Sequence, residues 1–137
     1  MVKLRFILIV LTLFTCNSIH AEVVQIDAEK LKQLMQSGVT IIDVRTPAEW
    51  KQTGLVDGSV PIMFFNEKRQ PLTEQWLQQA AEIVTPQDEL VLICRSGNRS
   101  NMIAHYLSKQ HQFVRVYNVQ NGIKDWLAKG NKTVKYE

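Results

Sequence analysis

The stretch LVLICRSGNRS, Leu90 to Ser100, decides the fold, because a short apolar run passes directly into a tight loop and then into a helical pattern. The run is bounded by polar residues and predicts a strand buried on both faces. From about Arg99, apolar residues recur at helical spacing: Met102, Ile103, Tyr106 and Leu107. A strand that leads straight into a helix is the unit from which parallel α/β sheets are built.

The same alternation of periods runs through the rest of the chain. Further β-branched runs predict strands at VVQI (23–26), TIIDV (40–44) and VRVYNV (114–119), with a short strand around 60–63 inside an irregular segment, 53–69. A first helix is predicted between the N-cap Asp27 and Gly38, a second over 73–84 and a last over 122–129. The expected core faces of these helices are Leu31, Leu34 and Met35; Leu77, Ala80, Ala81 and Val84; and Ile123, Trp126 and Leu127. We therefore predict an α/β domain with a mostly parallel central sheet and helices on both faces.

The N-terminus has the order of a secretory signal. Lys3 and Arg5 precede the apolar run FILIVLTLF, and a more polar stretch ends in a small residue at Ala21. The run is too short to span a bilayer. We predict a signal peptide over 1–21, a domain over 22–137 and a periplasmic location without membrane contact after cleavage. A membrane anchor, a buried strand or a lipid on Cys16 are the alternatives.

Charge and cysteine content narrow the classes of function. The chain of 137 residues has 16 Lys+Arg and 13 Asp+Glu, and removing Lys3 and Arg5 leaves 14 against 13, a net charge of +1. That balance gives no nucleic-acid footprint. Removing Cys16 leaves one thiol, Cys94, so no internal disulfide is expected. A lone thiol in an exported protein is either buried and inert or kept for its reactivity.

The surroundings of Cys94 favour reactivity. The cysteine ends a predicted strand, and backbone amides of the next loop and helix N-terminus would favour its thiolate. Arg95 and Arg99 flank that helix N-terminus, where cations oppose the helix dipole, so an anion should balance them. A thiolate, a persulfide or a bound small dianion would do so. The alternative is that both arginines pair with surface carboxylates.

Four ordered segments resemble the rhodanese-like sulfurtransferases. CRSGNRS (94–100) resembles the family's Cys-x-x-Gly-x-Arg loop, which is followed by Ser or Ala, and IIDVRTPAEW (41–50) resembles its Asp-Val-Arg stretch. GLVDGSVPI (54–62) and VYNVQNGIKDWL (116–127) resemble its Gly-His-Ile and closing Gly-Gly segments. Two positions depart from the pattern: Leu55 stands where histidine is usual, and Asn121 replaces the first closing glycine.

The resemblance implies a single rhodanese-like domain that carries sulfur on a persulfide of Cys94, without a cofactor or metal. Thiosulfate is the expected donor, and cyanide, a thiol or a protein is the expected acceptor. The loop residues expected to bind the donor are Arg95, Ser96, Gly97, Asn98, Arg99 and Ser100. Arg95 and Arg99 would orient the anion, and the loop amides would stabilise the persulfide. Asp43, Arg45 and Glu49 are expected to be structural, with Arg45 paired to Glu49.

Other functions remain as alternatives. A noncatalytic sulfur carrier or binding module would differ from the enzyme only in turnover. Cysteine phosphatases and arsenate reductases of related fold use a Cys-x5-Arg loop, whereas here four residues separate Cys94 from Arg99. A disulfide oxidoreductase would need a Cys-x-x-Cys pair, which the chain lacks.

Overall fold

Five parallel strands form one sheet in the computed structural model, which describes residues 21–137. The strands are β1 (Glu22–Ile26), β2 (Thr40–Asp43), β3 (Val60–Pro61), β4 (Glu89–Ile93) and β5 (Arg115–Val119). Their order across the sheet is β1-β5-β4-β2-β3, and every pairing is parallel. β4 therefore lies at the centre, between β5 and β2, and its carboxyl end delivers Cys94 to the middle of the sheet edge.

Helices cover both faces of this sheet, which confirms the predicted fold class. They are α1 (Ala28–Gln36), α2 (Pro47–Thr53), α3 (Thr73–Ala81), α4 (Asn98–Gln110) and α5 (Gly122–Ala128). One buried cluster joins the sheet to α3 and α4, and a second joins it to α1 and α5. Along β4, Leu90 and Leu92 belong to the first cluster, and Val91 and Ile93 to the second. A parallel strand buried on both faces needs this continuous apolar run.

The N-cap predicted at Asp27 begins α1, since its carboxylate accepts the Lys30 N–H at 2.8 Å. The helix predicted over 73–84, which is α3 in the structure, differs from the prediction. It ends at Ala81 instead of residue 84, and Ala81 is exposed. Its buried face is formed by Trp76 and Ala80, because the Trp76 indole is wholly buried and donates to the Ile62 carbonyl at 3.1 Å.

The sequence patterns did not predict α2. Only Trp50 of its seven residues is buried, so no helical apolar period is present. The helix is specified at its start instead: Pro47 occupies the first turn, and Thr46 and Glu49 form a reciprocal capping box. That T-P-x-E pattern was the available signal.

The predicted signal peptide, Cys16 included, lies outside the described residues except for Ala21, so export stays a prediction. None of the helices within 21–137 is both long and apolar enough to cross a bilayer.

Candidate active site

Cys94 is the first residue after β4, and its side chain is 1% exposed. Its sulfur receives the Gly97 backbone N–H at 3.1 Å and lies 3.2 Å from the Ser100 hydroxyl. Ser100 is in the first turn of α4 and is itself wholly buried. The thiol is therefore buried but has polar partners, and the expected ring of amides is reduced to one N–H and one hydroxyl. This arrangement can hold negative charge on a sulfur atom through charge-assisted hydrogen bonds.

Two glycines fit the cysteine loop against the start of α5. Gly97 has a φ of 91° and is buried, and a Cβ there would overlap the Gln120 carbonyl. Gly122 has a φ of 61°, and a Cβ there would lie 2.5 Å from the carbonyl oxygens of Cys94 and Arg95. The same two carbonyls accept backbone N–H groups of α5, from Ile123 at 2.9 Å and Lys124 at 3.2 Å. Main-chain contacts with residues 120–124 thus hold the cysteine loop in place, and they leave no room for a side chain at Gly97 or Gly122.

Asp43 and Arg45 form a buried ion pair at the end of β2, with both residues about 1% exposed or less. The guanidinium binds both carboxylate oxygens, at 2.7 to 3.0 Å. It also donates to the Thr53 hydroxyl at 2.7 Å and the Gly54 carbonyl at 2.8 Å. Trp50 donates its indole N–H to the same carboxylate at 3.1 Å. Because every polar group is satisfied, the pair ties the end of β2 to α2.

The expected pairing of Arg45 with Glu49 is wrong. Glu49 instead binds Arg99, whose two terminal nitrogens donate to its two oxygens at 2.6 and 3.0 Å. Burial alone would raise the pKa of Glu49, but hydrogen bonds from Arg99 and the Thr46 backbone outweigh it and lower the pKa to about 2. In turn, the hydrogen bonds that Arg99 donates to Glu49 raise the pKa of Arg99, and attraction to Cys94 adds to the shift. Of the two arginines that flank the helix, Arg99 therefore does pair with a carboxylate, which was the alternative to anion binding. This ion pair links α2 to the cysteine loop.

Arg95 has the opposite environment. Its side chain is exposed, and it forms no ion pair within residues 21–137. It borders a cavity of about 600 Å³ beside the loop, together with Ser96, Asn98 and Arg99. The other residues that line this cavity are Thr46, Glu49, Phe65, Asn66, Glu67, Arg69 and Met102. The cavity thus lies beside the cysteine loop, whose Gly97 N–H contacts the sulfur.

The two departures from the family pattern have simple local explanations. Asn121 has a φ of −109°, a conformation open to any residue, so glycine is not needed there. Leu55 is 6% exposed, and its backbone exchanges two hydrogen bonds with Val134, at 2.8 and 2.9 Å. Within residues 21–137, neither Asn121 nor Leu55 forms a backbone hydrogen bond with the cysteine loop.

Sequence reasoning missed the buried polar residue of β5 that contacts Ser100. Asn118 of β5 is 2% exposed, and its Oδ1 lies 2.6 Å from the Ser100 hydroxyl. A polar residue inside the run VRVYNV was the available signal, because an amide buried in a strand must find a partner. Among the described residues, no group of three or more His, Cys, Asp or Glu side chains could hold a metal ion.

Several known proteins are similar to this chain in sequence or in fold. A sulfur carrier of Bacillus subtilis, described as putative, is 35% identical over 107 residues, which cover 77% of this chain and 51% of that protein. A sulfurtransferase of Allochromatium vinosum is 34% identical over 109 residues, covering 77% of this chain and 90% of that protein. The crystal structure of a rhodanese-related protein from Thermoplasma volcanium superposes with a TM-score of 0.62 at 26% identity, over 81% of this chain and 97% of that one. Residues 27–129 match the rhodanese-like domain, and the chain therefore belongs to the rhodanese-like domain family.

Proposed function

We propose that this protein is a thiosulfate sulfurtransferase that acts in the periplasm after removal of residues 1–21. The observation that carries the proposal is the pair of polar groups on the Cys94 sulfur, the Gly97 N–H, which donates to it, and the Ser100 hydroxyl at 3.2 Å. Membership of the rhodanese-like family and the similarity to a sulfurtransferase support sulfur transfer as the chemistry.

The reaction takes two steps. The Cys94 thiolate attacks the outer sulfur of thiosulfate, the new S–S bond forms as the old one breaks, and sulfite leaves with the bonding electrons. A persulfide remains on Cys94, with its negative charge beside the Gly97 N–H. A nucleophilic acceptor, either cyanide or a thiol, then takes the outer sulfur and restores the thiolate.

Charge near the loop supports an anionic donor. Arg95 is exposed at the cavity and is not bound to a carboxylate within residues 21–137, so its guanidinium is available to the donor. Arg99 already binds Glu49 through both terminal nitrogens. We therefore assign donor binding to Arg95 and a loop-positioning role to Arg99. Cys94 as a residue is 1% exposed, so its surroundings must move before the donor reaches the sulfur.

Persulfide formation tests this proposal directly. After incubation with thiosulfate, intact-mass measurement of the full chain should show the addition of one sulfur atom. The Cys94→Ser variant should show none, and Cys16→Ser, which leaves Cys94 as the only thiol, should load like the wild type. Failure of the wild type to load would reject thiosulfate as the donor.

Arg95→Ala tests donor selection. We expect a KM for thiosulfate about ten-fold higher, as for loss of one charge-assisted hydrogen bond, with a smaller effect on an uncharged donor. An equal effect on both donors would show that Arg95 does not select the substrate.

A sulfur carrier is the second candidate, favoured by the similarity to the Bacillus subtilis protein. A carrier would load at Cys94 without turning over. Loading from thiosulfate with no production of thiocyanate from cyanide would favour it.

A further inference from the structure

A chain of hydrogen bonds connects the buried sulfur to the protein surface. Ser100 Oγ lies 3.2 Å from Cys94 Sγ and 2.6 Å from Asn118 Oδ1. Asn118 Nδ2 donates to Gln25 Oε1 at 2.6 Å, and Gln25 Nε2 donates to Asn101 Oδ1 at 2.7 Å. Cys94, Ser100 and Asn118 are each 2% exposed or less, whereas Gln25 is exposed.

The fold places these side chains in line. Gln25 and Asn118 are opposite each other on the neighbouring parallel strands β1 and β5. Side chains opposite each other on neighbouring strands point to the same face of a sheet. α4 covers that face and presents Ser100 and Asn101 from its first turn. The chain of hydrogen bonds thus crosses the sheet beneath α4, from the sulfur to the edge strand β1.

The number of protons gives this chain a direction. Ser100 has one hydroxyl proton and faces three acceptors: the sulfur, the Gly97 carbonyl at 3.3 Å and Asn118 Oδ1. The shortest contact assigns that proton to Asn118, so in this direction Ser100 can only accept a hydrogen bond from the sulfur side. In this direction the chain suits a neutral thiol: each group donates to the next, ending on Asn101.

The opposite direction suits an anion. If the amides of Asn118, Gln25 and Asn101 each exchange their nitrogen and oxygen positions, Asn101 donates to Gln25, and Gln25 donates to Asn118. Asn118 then donates to Ser100, which turns its hydroxyl proton to the sulfur. Every group keeps its hydrogen bonds in both directions, so neither state leaves a buried polar atom unsatisfied.

We propose that Asn118 and Gln25 are positioning residues that let Ser100 switch from accepting the Cys94 thiol proton to donating to the sulfur anion. The proposal rests on the sulfur transfer proposed above. The thiol proton itself goes to solvent when the thiolate forms, and the chain changes direction without carrying a proton. The persulfide, also an anion, uses the same direction as the thiolate.

Two variants test the reversal. Asn118→Leu removes the acceptor that competes with the sulfur for the Ser100 proton, so its alkylation profile should not move to higher pH. Gln25→Glu lies at the exposed end and can only accept, which holds Asn118 in the direction that suits the neutral thiol. For Gln25→Glu we expect thiosulfate loading about ten-fold slower, as for the loss of one hydrogen bond to a charged group. In that variant the rate of Cys94 alkylation by iodoacetamide should reach half its maximum at a pH about one unit higher, since one unit corresponds to a ten-fold change.

The charged groups around the sulfur stay unchanged in both variants. They are Arg95, the Arg99–Glu49 pair and the Asp43–Arg45 pair. Gln25→Glu introduces a charge of its own, so its alkylation profile is measured at low salt and at high salt. Salt screens an exposed charge but leaves the direction of the hydrogen bonds intact.

Tyr117→Phe is the matched control. It removes one side-chain hydrogen bond, from the Tyr117 hydroxyl to Glu89 at 2.9 Å, from the same strand but on the other face of the sheet. This variant should keep the wild-type alkylation profile and loading rate. A wild-type profile in Gln25→Glu would overturn the proposal, as would a Gln25→Glu shift that disappears at high salt. A shift of the Asn118→Leu profile to higher pH would also overturn it. If Asn118→Leu does not fold, Gln25→Glu decides alone. Alkylation needs no donor, so it tests the chain even if thiosulfate fails to load the wild type.

Discussion

The ion pair between Glu49 and Arg99 should make the stability of this protein depend on pH in a defined range. The pKa of Glu49 falls from 4.5 to about 2 on folding, because hydrogen bonds from Arg99 and Thr46 outweigh the cost of burial. A depressed carboxyl pKa adds stability that is complete above the unfolded value and disappears as the pH falls through the folded value. The contribution is therefore present above pH 4.5 and lost as the pH falls toward about 2.

The magnitude follows from the size of that shift. The drop in pKa corresponds to at most about 3 kcal/mol at neutral pH. The side chains of Arg99 and Glu49 are 29% and 22% exposed, so solvent screens the pair, and we expect about 2 kcal/mol. Replacing Glu49 with Gln should remove this part of the stability and leave the Arg99 guanidinium without its carboxylate.

Urea unfolding followed by tryptophan fluorescence measures the effect. The free energies of unfolding of the wild type and Glu49→Gln should differ by about 2 kcal/mol at neutral pH. They should converge as the pH falls toward about 2, where Glu49 becomes protonated in the folded protein. Glu82→Gln, at an exposed glutamate just after α3, is the control and should follow the wild type. A constant difference between the wild type and Glu49→Gln at every pH would refute the assignment to ionisation of Glu49.

Three further predictions concern stability at and around the candidate active site. Gly122→Ala should lower the free energy of unfolding by about 3 kcal/mol, because it combines a left-handed backbone with the overlap onto the Cys94 and Arg95 carbonyls. Asn121→Gly should leave stability within about 0.5 kcal/mol in the same urea assay; a clear gain would contradict the negative φ at that residue. Asp43→Ala should cost about 3–5 kcal/mol, since it leaves the Arg45 guanidinium buried without its carboxylate. A loss below about 1 kcal/mol in thermal or urea unfolding would show that the pair is not held as the structure has it.

Short apolar runs allowed the sheet to be predicted closely. The runs TIIDV and LVLIC contain β2 and most of β4, and in each of these strands every residue but the first is buried. The local apolar pattern therefore agrees with the final environment. The helix over 73–84 was less predictable, because Leu77 and Ala81 share a face as well as Trp76 and Ala80 do. Which face is buried depended on the space beneath Trp76 and on the Ile62 carbonyl, which belongs to a distant part of the chain.

The amino-acid sequence by itself determined the order of the strands and of every helix but α2, the place of Cys94 at the end of a strand, and the loop that follows it. These features depend on hydrophobic period, caps and turns, which act over a few neighbouring residues. Only the tertiary structure decided that Glu49 binds Arg99 and Arg45 binds Asp43, and that Asn118 and Gln25 reach toward the sulfur. The residues in these contacts lie up to 93 positions apart in the sequence. Which of them meet therefore depends on which strands lie side by side and which helix covers them.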